Sequence, residues 1–373
     1  MSSKLILAMQ IAMNANVPTL LWGPPGVGKT STIMQIAEVM DLPIEVVIAS
    51  IREPADFSGL PVIPTDVTEN GVFLSPPDWA RRLAKAGKGI LFFDEISTAP
   101  PATQAALLRV ALDKCVGDLK LPNDVVIFAA ANPPEIAAGG WDLAPPLANR
   151  FCHLDWSLHA DEWCEGMIAG WNTMLGTIHH KKEIPKAFLA QKKAIIASFI
   201  RSRQSLLLQL PKDESATGKA WPSPRSWMMA ATLLASCQTF GYNEESEVAM
   251  TLLSGCVGEG PALEFIQWKE QVDLPDPEAV LRDPSIIKFP SKRGDIIFAI
   301  LSSITAAVLD NNTQDRWLSG WKILGNAADQ GFADVGAICA KTLSKHRPKN
   351  YNMVPKEVKK FEKILRAVGL FGA

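Results

Sequence analysis

The chain has 373 residues, enough for two or three domains of ordinary size. Apolar residues make up 47% and charged residues 20%, which excludes an intrinsically disordered chain. A net charge of −2 gives the chain as a whole no push toward nucleic acid or an anionic membrane, and no apolar run reaches the roughly 18 residues of a membrane span.

The start, Met1 to Gln10, lacks a small-residue cleavage site, so no secretory signal is expected and the expected compartment is the cytoplasm. A helical pattern covers Leu5 to Ala15, and Pro18 to Trp22 is a short apolar strand that stops at Gly23. Thr30 to Met40 repeats apolar residues at helical spacing, and Pro43 to Ser50 is a second buried strand. Gly89 to Phe93 is a third strand and Val125 to Ala131 a fourth, with a helix between them over Thr103 to Leu112 behind Pro100 and Pro101. Strands this apolar, alternating with helices, indicate an α/β fold with a parallel sheet covered on both faces.

After about Trp156 the strand signals fade. Asp161 to Met174, Lys186 to Leu210, Ser226 to Thr239, Glu244 to Gly255 and Ala262 to Gln271 read as helices. Past a proline- and acid-rich linker, Asp273 to Glu278, four more follow: Asp295 to Leu309, Asp315 to Gln330, Asp334 to Ser344 and Lys356 to Val368. The expected division is an α/β nucleotide-binding domain over 1–155, an all-α lid over 156–272 and a helical segment of unassigned role over 273–373. Six cysteines (Cys115, Cys152, Cys164, Cys237, Cys256, Cys339) show no CxxC or CxxxC spacing. Packed thiols are expected from them rather than disulfides or a zinc site.

Chemistry enters at Gly23-Pro24-Pro25-Gly26-Val27-Gly28-Lys29-Thr30, which fits G-x-x-x-x-G-K-[ST] in full between a strand and a helix. Glycines let backbone N–H groups turn inward around phosphate oxygens, and the following helix adds the positive end of its dipole. Lys29 supplies a fixed charge to the terminal phosphates and Thr30 a hydroxyl ligand for Mg2+; Ser31 closes the loop's phosphate-binding set. The strand Gly89 to Phe93 runs into Asp94-Glu95. Asp94 would hold Mg2+, and Glu95 would orient and deprotonate the attacking water. Asn132, just past the fourth strand and before Pro133, can hydrogen-bond a phosphate or that water; an Asx turn before the proline is the other reading.

Together these residues resemble the AAA+ ATPases, and within them the MoxR-like branch of the helix-2-insert clade, over roughly residues 1 to 265. The resemblance implies that Gly23 to Thr30 is Walker A, Asp94-Glu95 Walker B and Asn132 sensor 1. It implies an arginine finger at Arg150, in Asn149-Arg150-Phe151, with Arg109 as a rival. It also implies a sensor 2 at Arg225, which opens a helix after Pro222-Ser223-Pro224 and could reach a phosphate from the lid. Phe57 to Asp78 stands where the family carries its helix-2 insert, and Cys115 to Asn123 where it carries a pre-sensor hairpin turning at Gly117-Asp118. The nearest approach to a pore-loop motif is Phe57-Ser58-Gly59, a poor match that speaks against processive threading.

The expected function is therefore an ATPase using ATP and Mg2+. It would assemble as a homo-oligomeric ring, with a hexamer as the expected size, and remodel a partner protein. The resemblance implies a partner carrying a von Willebrand factor A domain. Two alternatives stay open. One is a DNA-directed motor, for which Lys341 to Lys349 and Lys356 to Lys363 are the basic clusters at hand; solvated helix faces explain these clusters more simply, so nucleic acid is not the expected partner. The other is a nucleotide-gated scaffold with little turnover, against which Glu95 argues.

Overall fold

Three of the four expected strands are buried on both faces. A computed structural model describes residues 3–63, 71–133, 136, 141–157, 159–171, 175, 178–272, 274–290, 293–349, 351 and 353–367. Its strands are β1 (Thr19–Trp22), β2 (Ile44–Ile48), β3 (Leu60–Val62), β4 (Phe73–Ser75), β5 (Lys88–Asp94), β6 (Cys115–Val116), β7 (Leu119–Lys120), β8 (Asp124–Ala131) and β9 (Cys152–Asp155). Five form one parallel sheet in the order β2-β5-β8-β1-β9. In β1, β5 and β8 the residues are buried almost without interruption, as parallel strands under helices must be. Leu91, Phe92, Phe93 and Phe128 are fully buried, each worth ~1.5–3 kcal/mol of transfer free energy. β2 departs from the expectation: it is an edge strand and leaves Val46 and Ile48 partly exposed.

The helices in chain order are α1 (Ser3–Ala15), α2 (Lys29–Val39), α3 (Ala55–Ser58), α4 (Asp78–Ala86), α5 (Pro101–Asp113), α6 (Pro145–Ala148), α7 (Ala160–Ala169), α8 (Lys186–Ser202), α9 (Glu214–Thr217), α10 (Pro224–Thr239), α11 (Glu247–Val257), α12 (Glu259–Glu270), α13 (Pro277–Arg282), α14 (Gly294–Asp310), α15 (Gln314–Asp329), α16 (Ala333–Lys345) and α17 (Glu362–Ala367). The sequence pattern does not announce α4 or β9. The end of the helix expected to reach Met174 lies outside the described residues, and so does Val368.

Register sets the site. Trp22 pairs with Ala131 and Asp155, and Phe93 with Ala129. The C-terminal ends of β1, β5 and β8 therefore share one edge, and the residues at or just past them (Gly23, Asp94-Glu95, Asn132) lie along it. Ligands of open parallel sheets bind at that edge.

The chain divides into two compact units, Met1–Glu183 with Leu208–Leu263, and Ile184–Leu207 with Glu264–Ala373. The segment expected as a lid, 156–272, is thus shared between the two. The physical reason is the apolar face of α8: Ala194, Ile195, Ile196 and Phe199 are buried, and α8 packs along α14. Phe199 also meets Phe265 edge-on at 5.3 Å and lies 5.6 Å from Trp268.

Within the first unit the two expected insertions are fastened together. The β3–β4 hairpin and the β6–β7 hairpin, which turns at Gly117-Asp118, meet where a Cβ on Gly59 would lie 2.8 Å from Gly117 Cα. Asp118 N–H donates to Leu74 O (3.1 Å), and Leu74 N–H donates to Asp118 Oδ2 (2.8 Å). Residues 64–70 of the first insertion lie outside the described residues. Phe57 is fully buried against Phe93 (5.9 Å) and Trp79 (6.3 Å), so it is a core residue and no pore-loop aromatic.

Candidate functional site

The loop between β1 and α2 owes its shape to its glycines. Gly26 (φ +80°) and Gly28 (φ +91°) adopt backbone that L side chains rarely accept, and a Cβ on either would meet only open space. That space is a cavity of about 270 Å³ bounded by residues 25–31 with Asp94, Glu95 and Asn132. It is a cradle of backbone amides at a helix N-terminus, the chemistry that anions require. Gly23 is closely overlaid by Trp156, the residue after β9, whose indole N–H donates to Val27 O (3.1 Å).

Lys29, 7% exposed, donates to Gly23 O (2.6 Å), Pro24 O (2.9 Å) and Asn132 Oδ1 (3.1 Å). Burial lowers its pKa, and the nearby Asp94 carboxylate partly opposes this. Thr30 Oγ1 donates to Asp94 Oδ2 (2.7 Å), and Asp94 Oδ1 accepts the Glu95 N–H (3.0 Å). Hydroxyl and carboxylate thus already face one another, a donor set of hard oxygens that fits Mg2+. Glu95 sits at φ +56°, uncommon for a non-glycine residue, at the sharp turn off β5. Its Oε2 accepts from Ser50 Oγ at 2.6 Å. Ser50 is not among the expected site residues; its only signal is its position just past β2, the strand paired with β5.

Of the expected Walker A, Walker B and sensor 1 residues, Pro25 to Thr30, Asp94, Glu95 and Asn132 therefore meet at one cavity, while Gly23 and Pro24 do not line it and instead accept from Lys29 Nζ through their carbonyls. Arg150 and Arg225 do not line it. Asn149, buried after α6, donates from Nδ2 to Trp221 O (3.0 Å) and accepts at Oδ1 from Ser223 Oγ (2.6 Å). Ser223 also caps α10, with Pro224 at its first position. These bonds tie the end of α6 to the start of α10, where Arg225 is exposed in the first turn. Burial is the main cause that lowers the Arg150 pKa, and the Arg225 charge adds to it. Arg150 donates to Pro146 O, while its Nε is buried without a partner. No carboxylate among the described residues forms a salt bridge with either arginine. The Asp113 carboxylate partly opposes the shift at Arg150 without a salt bridge, so this guanidinium keeps donors for an anion. Arg109 is exposed on α5.

A family model for the AAA domain (dynein-related subfamily) matches residues 18–151. Among solved structures the chain is similar to a protein described as a putative ATPase from Cytophaga hutchinsonii. The two are 19% identical, with 68% of this chain and 81% of the other covered and a TM-score of 0.47. No curated protein matches the chain. No helix among the described residues is long and apolar enough to cross a membrane. With the parallel sheet and the phosphate loop described above, the chain has a P-loop NTPase fold whose residues 18–151 match the AAA domain model.

Proposed function

We propose that this chain hydrolyses ATP with Mg2+, assembles as a homo-oligomeric ring of six subunits, and uses the cycle to remodel a partner protein in the manner of MoxR-like chaperones. The observation that carries the ATPase reading is the convergence of Lys29, Thr30, Asp94, Glu95 and Asn132 on one cavity lined by inward-turned backbone. Lys29 is held over that cavity and neutralises phosphate charge. Thr30 and Asp94 would hold Mg2+, whose contribution is to neutralise charge on the transferring phosphoryl group. Glu95 takes the proton of the attacking water as the bond from the γ-phosphorus to the bridging oxygen breaks, and Asn132 positions that water. Arg150, outside its own chain's cavity, serves the nucleotide of the adjacent subunit as an arginine finger, and Arg225 serves as a sensor 2 that reaches a phosphate from the helix it opens.

The resemblance to MoxR-like proteins supports a client with a von Willebrand factor A domain and a cytoplasmic setting. The test is steady-state hydrolysis together with nucleotide binding. Glu95→Gln should bind a fluorescent ATP analogue like the wild type and lose hydrolysis by about 10²–10⁴. Turnover near the wild-type rate would assign the base to another residue. No turnover by the wild type, alone or with a candidate partner, would favour a nucleotide-gated scaffold.

A further inference from the structure

The net charge of −2 conceals an uneven division. The first unit carries 16 Lys and Arg against 26 Asp and Glu, a net −10. The second carries 21 against 13, a net +8. The excess concentrates from Lys341 to Arg366, where nine Lys and Arg face two acids, Glu357 and Glu362. All nine except Lys341 are exposed. Lys360 is held by Asp329 (2.6 Å), Arg366 by Glu362 (2.8 Å), and Arg347 donates to Met353 O (2.7 Å). Lys345, Lys349, Lys356, Lys359 and Lys363 make no ion pair among the described residues.

The underside of this surface is firmly built. Trp317 donates its indole N–H to Leu343 O (2.9 Å), Trp321 packs against Phe361 (6.2 Å), and Leu343, Val358 and Phe361 are buried. α16 and the 3₁₀ turn Lys356–Phe361 pack on one another and on α15, so their cations are presented on adjoining elements. A merely solvated helix face intersperses both signs; nine against two is not that. Between the two lysine-bearing elements lie planar groups. Arg347 sits 5.7 Å from the Tyr351 ring, Tyr351 is braced edge-on by Trp317 at 5.5 Å, and His346 is exposed. Cations that follow a phosphate backbone, with an arginine, a tyrosine and a histidine for stacking, favour nucleic acid over an acidic peptide, which has no use for the planar groups.

We propose that the second unit binds single-stranded nucleic acid: Lys345, Lys349, Lys356, Lys359 and Lys363 engage its phosphates, and the Arg347–Tyr351 pair stacks on unpaired bases. This goes beyond the ATPase reading and does not depend on it.

The test uses the full chain and a fluorescein-labelled oligothymidylate of about 20 nucleotides, followed by anisotropy across a salt series. The wild type should bind at low salt and weaken steeply as salt rises. Replacing Lys345, Lys349, Lys359 and Lys363 together by Ala should weaken binding at least about tenfold and shrink the log–log salt slope by about 3, near 0.7 for each phosphate no longer engaged. Tyr351→Leu should weaken binding by about tenfold and leave that slope unchanged. A control with Ala in place of Lys85, Lys120 and Lys212, exposed on the first unit, should bind like the wild type. Retained binding of an ATP analogue and an unchanged melting temperature would show that each variant is folded. Absence of binding at low salt would overturn the proposal, as would equal loss in the control. Polyglutamate of matched charge displacing the strand as well as unlabelled oligothymidylate would overturn it too, and would assign the surface to an acidic protein.

Discussion

The phosphate cavity and the arginine pair are built in opposite ways. Lys29 is fixed by carbonyls five and six residues before it, and the loop's shape is written in its own glycines. The stretches that carry Arg150 and Arg225 are tied by Asn149, which reaches Trp221 and Ser223 across more than seventy residues of chain. The loop keeps its own shape through local backbone preference, and only Asp94, Glu95 and Asn132 must be brought to it by strand pairing. A site held by distant hydrogen bonds exists only in the folded unit, and it is open to adjustment when that unit moves.

The largest expected effect lies at the arginines. Arg150→Ala should bind ATP normally and lose hydrolysis by about 10³–10⁵ if its guanidinium stabilises transferring phosphoryl charge. Mixed with Lys29→Ala, which should not bind ATP, it should regain part of the activity, because some interfaces then pair an intact pocket with an intact arginine. Background activity at every mixing ratio, with subunit exchange demonstrated, would rule out sharing of the site. Substituting Arg109 in the same mixture distinguishes the two candidate fingers.

The next effect is on stability. His153 on β9 is buried; it accepts from Trp22 Nε1 (2.8 Å) and bonds Ala148 O through Nε2 (2.9 Å). Burial pushes its pKa down to about 4. The folded state therefore refuses a proton that the unfolded chain takes up below about pH 6.5. Stability contributed by neutral His153 is full above that pH and is lost as pH falls toward 4, by ~2 kcal/mol at about pH 5. Denaturant midpoints at pH 7 and pH 5 should separate less in His153→Asn than in the wild type. An equal separation in both would show that His153 does not titrate this way.

Asn149→Ala asks directly whether the two sites are separate. It removes the two hydrogen bonds that Asn149 makes to Trp221 O and Ser223 Oγ, each worth ~0.5–1.5 kcal/mol, while both groups keep Ser226 as a partner. It should impair hydrolysis and leave binding of an ATP analogue intact, because the cavity is independent of that tie. Loss of nucleotide binding would show that pocket and arginine pair depend on the same support. The smallest effect is expected at Ser50. Ser50→Ala frees the Glu95 carboxylate from its 2.6 Å hydrogen bond and should change the hydrolysis rate a few-fold, about the ~1 kcal/mol of one such bond, with nucleotide affinity unchanged. An unaltered rate would make Ser50 a bystander.

Much of the fold was legible because periodicity and the phosphate-loop spacing report local physics. β1, α2, β5, α5 and β8 lie where alternation and apolar runs put them, and the cavity residues 25–31, Asp94, Glu95 and Asn132 lie together. β9 was not legible. Cys152–Asp155 is short and contains His153 and Asp155, and it becomes a strand through pairing with β1. Ser50 had no signal, since a serine at a strand end is common and its value comes from the neighbour that β2–β5 pairing supplies. Phe57 resembled part of a loop motif and proved to be core, because burial depends on Phe93 and Trp79 being there to receive it.

Local sequence was enough to specify the parallel sheet, the phosphate loop and the acidic strand end, since each rests on backbone preference or hydrophobic period within a short window. Three features were settled only by folding in three dimensions: α8 belongs with the C-terminal helices, Asn149 ties the end of α6 to the start of α10, and a nearly neutral chain is divided into an acidic unit and a basic one. One cause underlies all three. Burial of an apolar face or satisfaction of a polar group requires a specific partner, and a partner distant in sequence leaves no trace in the local pattern.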